Sequence, residues 1–318
     1  LEMSDNFAPI SMRLGLLGAA LEDASGTPET VAAALPGTVI YDLKMTIEGL
    51  FDGGESRPMS NYGGSRSRSK GAEVGKATFR TELRFGDATM TLLQASGFAY
   101  AAGPPKVATS KWIDLATQKT VTLVGWEGGR KKTIYGASCS SCKIAPESNG
   151  QRVYIDWEFM GVWGGVVDAA MPSDATVTAS AMRSAGITLT EDAAQLPQVS
   201  GWEINLGPET AQRQDPTNAK AIQRYQVEDG NPTLKLDPEA RLVAQYDAFG
   251  LLAAGGSHAI VLTVFDGAGN NVAFSMPLAQ RTSVADLARD KKRVDEVEFE
   301  CHGGATHGGI VVTETAAA

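Results

Sequence analysis

The sequence predicts an all-β protein with one flanking helix per domain, arranged as two tandem β-sandwich or barrel domains. Three observations carry that reading. Short runs of alternating apolar residues recur along the chain, the period-two pattern of half-buried strands. Glycine is abundant, 35 of 318 residues, and often falls between those runs, where hairpins need backbone pivots. One order of elements also occurs twice: strand, long polar loop, strand, helix ending in glycine, hairpin, loop, strand. A chain of this length has about two domains as its prior.

The expected divisions are an N-terminal arm at 1–37, a first domain at 38–167, a linker at 168–198, a second domain at 199–303 and a C-terminal tail at 304–318. In the arm, Ile10, Met12, Leu14, Leu16 and Leu17 give way to Gly-, Ala- and Pro-rich sequence, so an extended segment or short edge strand is expected. Val39, Tyr41, Leu43, Met45 and Ile47 alternate across 38–48 as a strand. Residues 52–76 read as a loop rich in Gly and Ser that carries Arg57, Arg66, Arg68, Lys70 and Lys76. A strand over 77–85 leads to a helix over 87–96, with Asp87 as N-cap and Gly97 at its end. Residues 98–119 form a second long connection. Strands at 120–127 and 131–137 meet at Gly128-Gly129, and strands at 140–146 and 152–161 follow.

After the Ala/Ser-rich 168–186, Trp202, Ile204 and Leu206 alternate in a strand over 199–206. A polar loop at 207–220 precedes strands at 221–228 and 232–237. A helix is expected over 238–254, with Asp237 as N-cap, Pro238 in the first turn and Gly255-Gly256 at the end. Leu242, Tyr246, Phe249 and Leu252 would form its apolar face. Strands at 258–266 and 270–277 meet at Gly267-Ala268-Gly269, a loop covers 278–292, and a last strand runs over 293–301. Residue matches accompany the repeated order. Leu92-Leu93-Gln94-Ala95-Ser96-Gly97 parallels Leu251-Leu252-Ala253-Ala254-Gly255-Gly256, and Trp157-Glu158-Phe159 parallels Val297-Glu298-Phe299.

Composition narrows the function classes. The formal net charge is −9 and the sequence pI about 5.0, which argues against a protein that grips DNA by displacing counterions from phosphate. No run approaches the roughly 20 apolar residues of a membrane helix, and Glu2, Asp5 and Asn6 stand where a secretory leader would be basic and then apolar. Three cysteines, Cys139, Cys142 and Cys301, are too few and too odd for a secreted disulfide framework.

Candidate chemistry is sparse. His258, His302 and His307 are the three histidines, and no Ser or Cys has an evident base and orienting group. Cys139-Ser-Ser-Cys142 has zinc-ligand spacing, with Cys301, His302 and His307 as conceivable partners. The pair lies in a strand region where neighbours face opposite ways, so small buried cysteines are the favoured reading. GGSRSRSKG at 63–71 lacks the G-K-[ST] ending of a phosphate-binding loop. No catalytic, cofactor-binding or metal residue is assigned, and a non-enzyme without cofactor is expected. Arg57, Arg66, Arg68, Lys70 and Lys76 are instead expected to contact an acidic neighbouring subunit.

Three stretches carry a family resemblance: TMTLLQASGF (89–98), KTVTLVGWEGGRKKTIYGASCSSCKI (119–144) and RVYIDWEFMGV (152–162). With Glu22…Gly26-Thr27-Pro28 near the start, they resemble the tail tube proteins, or major tail proteins, of long-tailed bacteriophages. The resemblance covers about 10–162, with 199–303 as a second copy. It implies a virion structural protein that self-assembles into stacked rings of β-sandwich tube domains. Six domains close a ring in that family, so a two-domain chain implies three chains in a pseudo-hexamer. Implied partners are further copies of the chain, the tape measure and tail terminator proteins, and double-stranded DNA that passes through the lumen without specific binding. The implied location is the phage tail, assembled in the host cytoplasm without membrane insertion. The long loops become arms between subunits, and an acidic wall would let DNA slide. The competing expectation is a carbohydrate- or receptor-binding β-sandwich module, which would need exposed tryptophans among Trp112, Trp126, Trp157, Trp163 and Trp202; these read as core or interface.

Overall fold

The computed structural model describes residues 15–48, 71–114, 116–148, 151–173, 177, 179–196, 198–289 and 292–317. The fold is all-β, with two short helices among the described residues. The first half contains β1 (Gly15–Leu21), β2 (Ile40–Glu48), β3 (Val74–Glu82), α1 (Asp87–Gln94), β4 (Phe98–Ala101), β5 (Lys106–Ser110), β6 (Val121–Glu127), β7 (Arg130–Pro146) and β8 (Val153–Asp168). The second contains β9 (Arg183–Glu191), β10 (Ala194–Gln195), β11 (Val199–Asn205), β12 (Pro208–Gln214), β13 (Ile222–Gly230), β14 (Thr233–Pro238), α2 (Ala248–Ala254), β15 (Ser257–Phe265), β16 (Asn271–Arg289), β17 (Lys292–Cys301) and β18 (Val311–Thr315).

Every pairing is antiparallel, and the two halves follow the same order. The first runs β2-β3-β8-β7-β6-β1 and the second β11-β14-β17-β16-β15-β9. Irregularities recur at matching places. The β7–β8 ladder slips between Cys139 and Ser141, opposite Phe159 and Glu158. The β16–β17 ladder slips between Arg281 and Ser283, opposite Phe299 and Glu298. The extra residues, Ser140 and Thr282, both donate a hydroxyl to the backbone carbonyl of the facing glutamate, each at 3.3 Å. The β2–β3 ladder slips between Tyr41 and Lys44, and the β11–β14 ladder between Val199 and Trp202. A bulge bends its strand and re-aims side chains, so matching bulges give the two sheets matching curvature.

Alternation explains which faces are buried. On β8, Val153, Ile155, Trp157 and Phe159 point inward, and on β17, Val297, Phe299 and Cys301 do. Glu158 and Glu298 point outward between them, as expected of sheets with one wet face. β6 is buried almost throughout, so its TLVGW core reads as a continuous apolar run. Phe79 stacks parallel on Phe159 with centroids 5.8 Å apart. α1 adds Met90, Leu92 and Leu93 to the same core. That core continues without a break into Leu189, Ile204, Leu234, Leu262, Phe274 and Phe299 of the second half.

Several expected elements differ. Residues 15–37 do not form a free arm: β1 pairs with β6, and Leu17 and Leu35 are buried. The expected linker contains β9, which pairs with β15, and the expected C-terminal tail contains β18, which pairs with both β16 and β5. The connection at 98–119 contains β4 and β5, and the polar loop at 207–220 opens with β12, hairpinned to β13. β16 runs on through most of the expected 278–292 loop. The second helix is only α2, capped by Asp247, whose side chain accepts from the Gly250 N–H at 2.8 Å. Asp237 and Pro238 instead end β14, and Leu242 and Phe249 are exposed. Asp87 is the first helical residue of α1 rather than its cap, which is Gly86.

Candidate assembly interface

The halves are joined sheet to sheet. Past its bulge, β7 takes β11 on the side away from β8, with Ile204 opposite Ile144 and Asn205 opposite Lys143. The Leu206 N–H donates to the Cys142 carbonyl at 2.9 Å. Cys142, Ile144, Ile204 and Leu206 are all fully or almost fully buried, so this is an apolar seam. Lys143 and Glu203 close it with an ion pair at 2.6 Å.

A second join crosses between β5 and β18, with Val311 opposite Thr109. Ser110 Oγ accepts from the N–H groups of Gly308 and Ile310, both at 3.1 Å, and donates to the Ile310 carbonyl at 2.7 Å. Trp112 Nε1 donates to the Gly308 carbonyl at 2.6 Å. Glu314 on β18 is buried and accepts from the Gly86 N–H at 3.2 Å, while its other oxygen has no hydrogen-bond partner among the described residues. Burial pushes this carboxyl up to about 7, against the opposing pull of the Gly86 N–H and Lys106.

Among the strand edges left open in the described residues are two that match the partners of the internal seam. β2 pairs only with β3, and β16 beyond Gln280 pairs only with β17. Along them Lys44, Thr46, Ile47, Ala285, Asp286 and Leu287 are exposed.

The cations expected at subunit contacts fall differently. Arg57, Arg66, Arg68 and Lys70 lie outside the described residues. Lys76 is not in a loop: it sits in β3, 3.0 Å from Glu158 on β8. Both side chains are part-exposed, so the pair contributes little stability.

The first half is tied to its N-terminal segment by Glu22, 1% exposed. Its carboxylate accepts from Thr120 at 2.5 Å, Thr122 at 2.9 Å, and the N–H groups of Gly26 and Gly136, both at 2.6 Å. Gly136 has φ +55°, and a Cβ there would lie 3.0 Å from the Arg224 Cα on β13, so glycine is required where β7 bends under the β12–β13 hairpin. Nothing in the periodicity of the sequence points to this network, whose members lie about a hundred residues apart.

The cysteines, tryptophans and histidines fall as follows. All three cysteines are buried and free. Burial, then the neighbouring Cys139, pushes the Cys142 thiol well up, and burial pushes Cys301 up to about 12. Among the described residues no three His, Cys, Asp or Glu side chains converge as a metal site. Trp112, Trp126, Trp157 and Trp202 are buried and Trp163 is half-buried. In a cleft of about 530 Å³, His258 Nδ1 lies 2.7 Å from Asp192. Beneath it Arg281, 1% exposed, makes two 2.5 Å contacts with Glu191. The described lining includes Tyr246 and Arg241 but no Ser, Thr or Cys. No described helix is long and apolar enough to cross a membrane.

No protein-family model matches the chain, and no curated protein matches it.

Proposed function

We propose that the chain is a virion structural protein that assembles into stacked rings, forming the hollow tail tube of a long-tailed phage through which DNA is ejected. The observation that supports this best is the matched pairing order, with matched bulges, in two halves joined edge to edge. We read that match as a duplicated tube domain. Two like domains in one chain make three chains equivalent to a ring of six, and the β7–β11 seam is then one of the ring's repeated joints. Further copies of the chain are the principal partners, and the tape measure and tail terminator proteins meet the tube's interior and end. Three copies triple the formal charge of −9, which favours a wall that DNA does not stick to.

The buried tryptophans favour this reading over a glycan-binding module, because stacking on a sugar needs an exposed indole. Negative-stain microscopy of the purified chain tests it. Uniform rings or hollow tubes are expected; a protein that stays monomeric at high concentration and binds glycans would refute it.

A further inference from the structure

From the internal seam we infer the joint between chains: the free edge of β2 in one copy pairs antiparallel with the free distal edge of β16 in the next, with Thr46 opposite Ala285. This inference rests on the self-assembly reading above and makes it specific.

The argument is one of correspondence. In the pairing order, β11 of the second half occupies the place of β2 in the first, and β16 occupies the place of β7. The ladders fix the residues. Trp157 pairs with Phe79 on β3 and Cys142 on β7; Val297 pairs with Leu236 on β14 and Val284 on β16. Ile204 on β11 pairs with Leu234 as Met45 on β2 pairs with Ala77. Met45 is thus the counterpart of Ile204, and Asp286 the counterpart of Ile144. The internal pairs Ile204–Ile144, Asn205–Lys143 and Leu206–Cys142 become Met45–Asp286, Thr46–Ala285 and Ile47–Val284 between chains.

The vacancies agree with the roles. β11 reaches β7 on the side away from β14, and β7 receives it on the side away from β8. The open side of β2 is the one away from β3, and that of distal β16 is the one away from β17. Ile47 at 37% exposure and the part-exposed Val284 would cover each other. The two edges differ in sequence, so the contact is head-to-tail, and such a contact closes into a ring when its rotation permits. Pairing removes two open edges per chain, each a standing invitation to wrong partners.

A double variant, Thr46→Cys with Ala285→Cys, tests this in the full-length chain. By the seam's register the pair is a non-hydrogen-bonded one, whose Cα atoms sit about 4.5 Å apart, within reach of a disulfide. Mild oxidation of the assembled protein should give covalent dimers and trimers that either single variant lacks, with most chains linked. A variant pair displaced along β16, Thr46→Cys with Ala288→Cys, should link far less. Rings or tubes that form normally yet yield no such link would overturn the strand pairing while leaving self-assembly standing. Absence of any ordered assembly by the unmodified chain would overturn both.

Discussion

Replacing Glu314 by glutamine should stabilise the protein above neutral pH and flatten its pH dependence. Glu314 is buried at the join between β18 and β5, with one oxygen bonded to Gly86 and the other without a hydrogen-bond partner among the described residues. Its carboxyl rises from an ordinary 4.5 to about 7 because burial disfavours the anion. Below about pH 4.5 the group is protonated whether the chain is folded or not, and ionisation costs nothing. Between 4.5 and 7 the folded protein holds a proton that the unfolded chain has released, so stability falls as pH rises. Above 7 the full cost stands, roughly 3 kcal/mol for a displacement of that size. Glutamine removes it, and because the rise to about 7 already includes the pull of Lys106, a gain of about 3 kcal/mol is expected at pH 8, shrinking toward zero near pH 4.5. Urea denaturation of the two proteins in dilute solution at pH 5, 6, 7 and 8 measures this. Parallel stability curves for variant and parent across that range would refute the reasoning.

Three other outcomes follow from the same geometry. Glu191→Ala strands the buried Arg281 guanidinium and should cost about 3–5 kcal/mol in urea denaturation; the double change Glu191→Leu with Arg281→Met should recover most of it. Gly136→Ala forces a side chain into a left-handed backbone and against β13, so a loss of at least about 1–2 kcal/mol is expected by the same measurement. Asp286→Ile with Asp295→Ile gives the free edge the apolar pair that β7 and β8 carry, and light scattering should show association beginning at lower protein concentration.

The legible parts of the fold were those whose signal is local. Alternation places β2, β3 and β17 within a few residues and the glycine turns place both hairpins, while β8 runs on to Asp168, past its expected end at 161, and β7 is one strand where two were expected. The misplaced parts depend on distant partners. β1 is Gly- and Ala-rich because it lies on β6, about a hundred residues away, where Gly18 faces Val31 and Trp126 too closely for a Cβ. β9 and β18 are strands because β15, β16 and β5 lie beside them, not because their own sequences alternate cleanly. Asp237-Pro238 imitates a helix start, yet Pro238 completes β14 and the chain turns before Asp247 caps the true helix. The proposed interface was half legible: the repeated order of elements is in the sequence, but which edges remain open is a property of the paired sheets.

That distinction explains why 278–292 reads as a loop. Its charged, weakly alternating sequence belongs to the far end of β16, where Asp286 and Asp295 face each other. The counterparts in the first half, Ile144 and Ile155, are fully or almost fully buried and also face each other. The first pair lies at a seam closed within one chain as soon as it folds, and apolar residues are safe there. The second lies at an edge left open in the single chain, the one we propose that another copy covers. An apolar pair at that edge would invite indiscriminate strand addition, and charge on an edge strand is a recognised way to suppress it. Burial, then Asp286, pushes the Asp295 carboxyl up, against the pull of Arg293, so holding acids there has a cost in the single chain. On the assembly we propose, the two halves share an architecture and differ where one joint is closed within the chain and the other is left for a second copy.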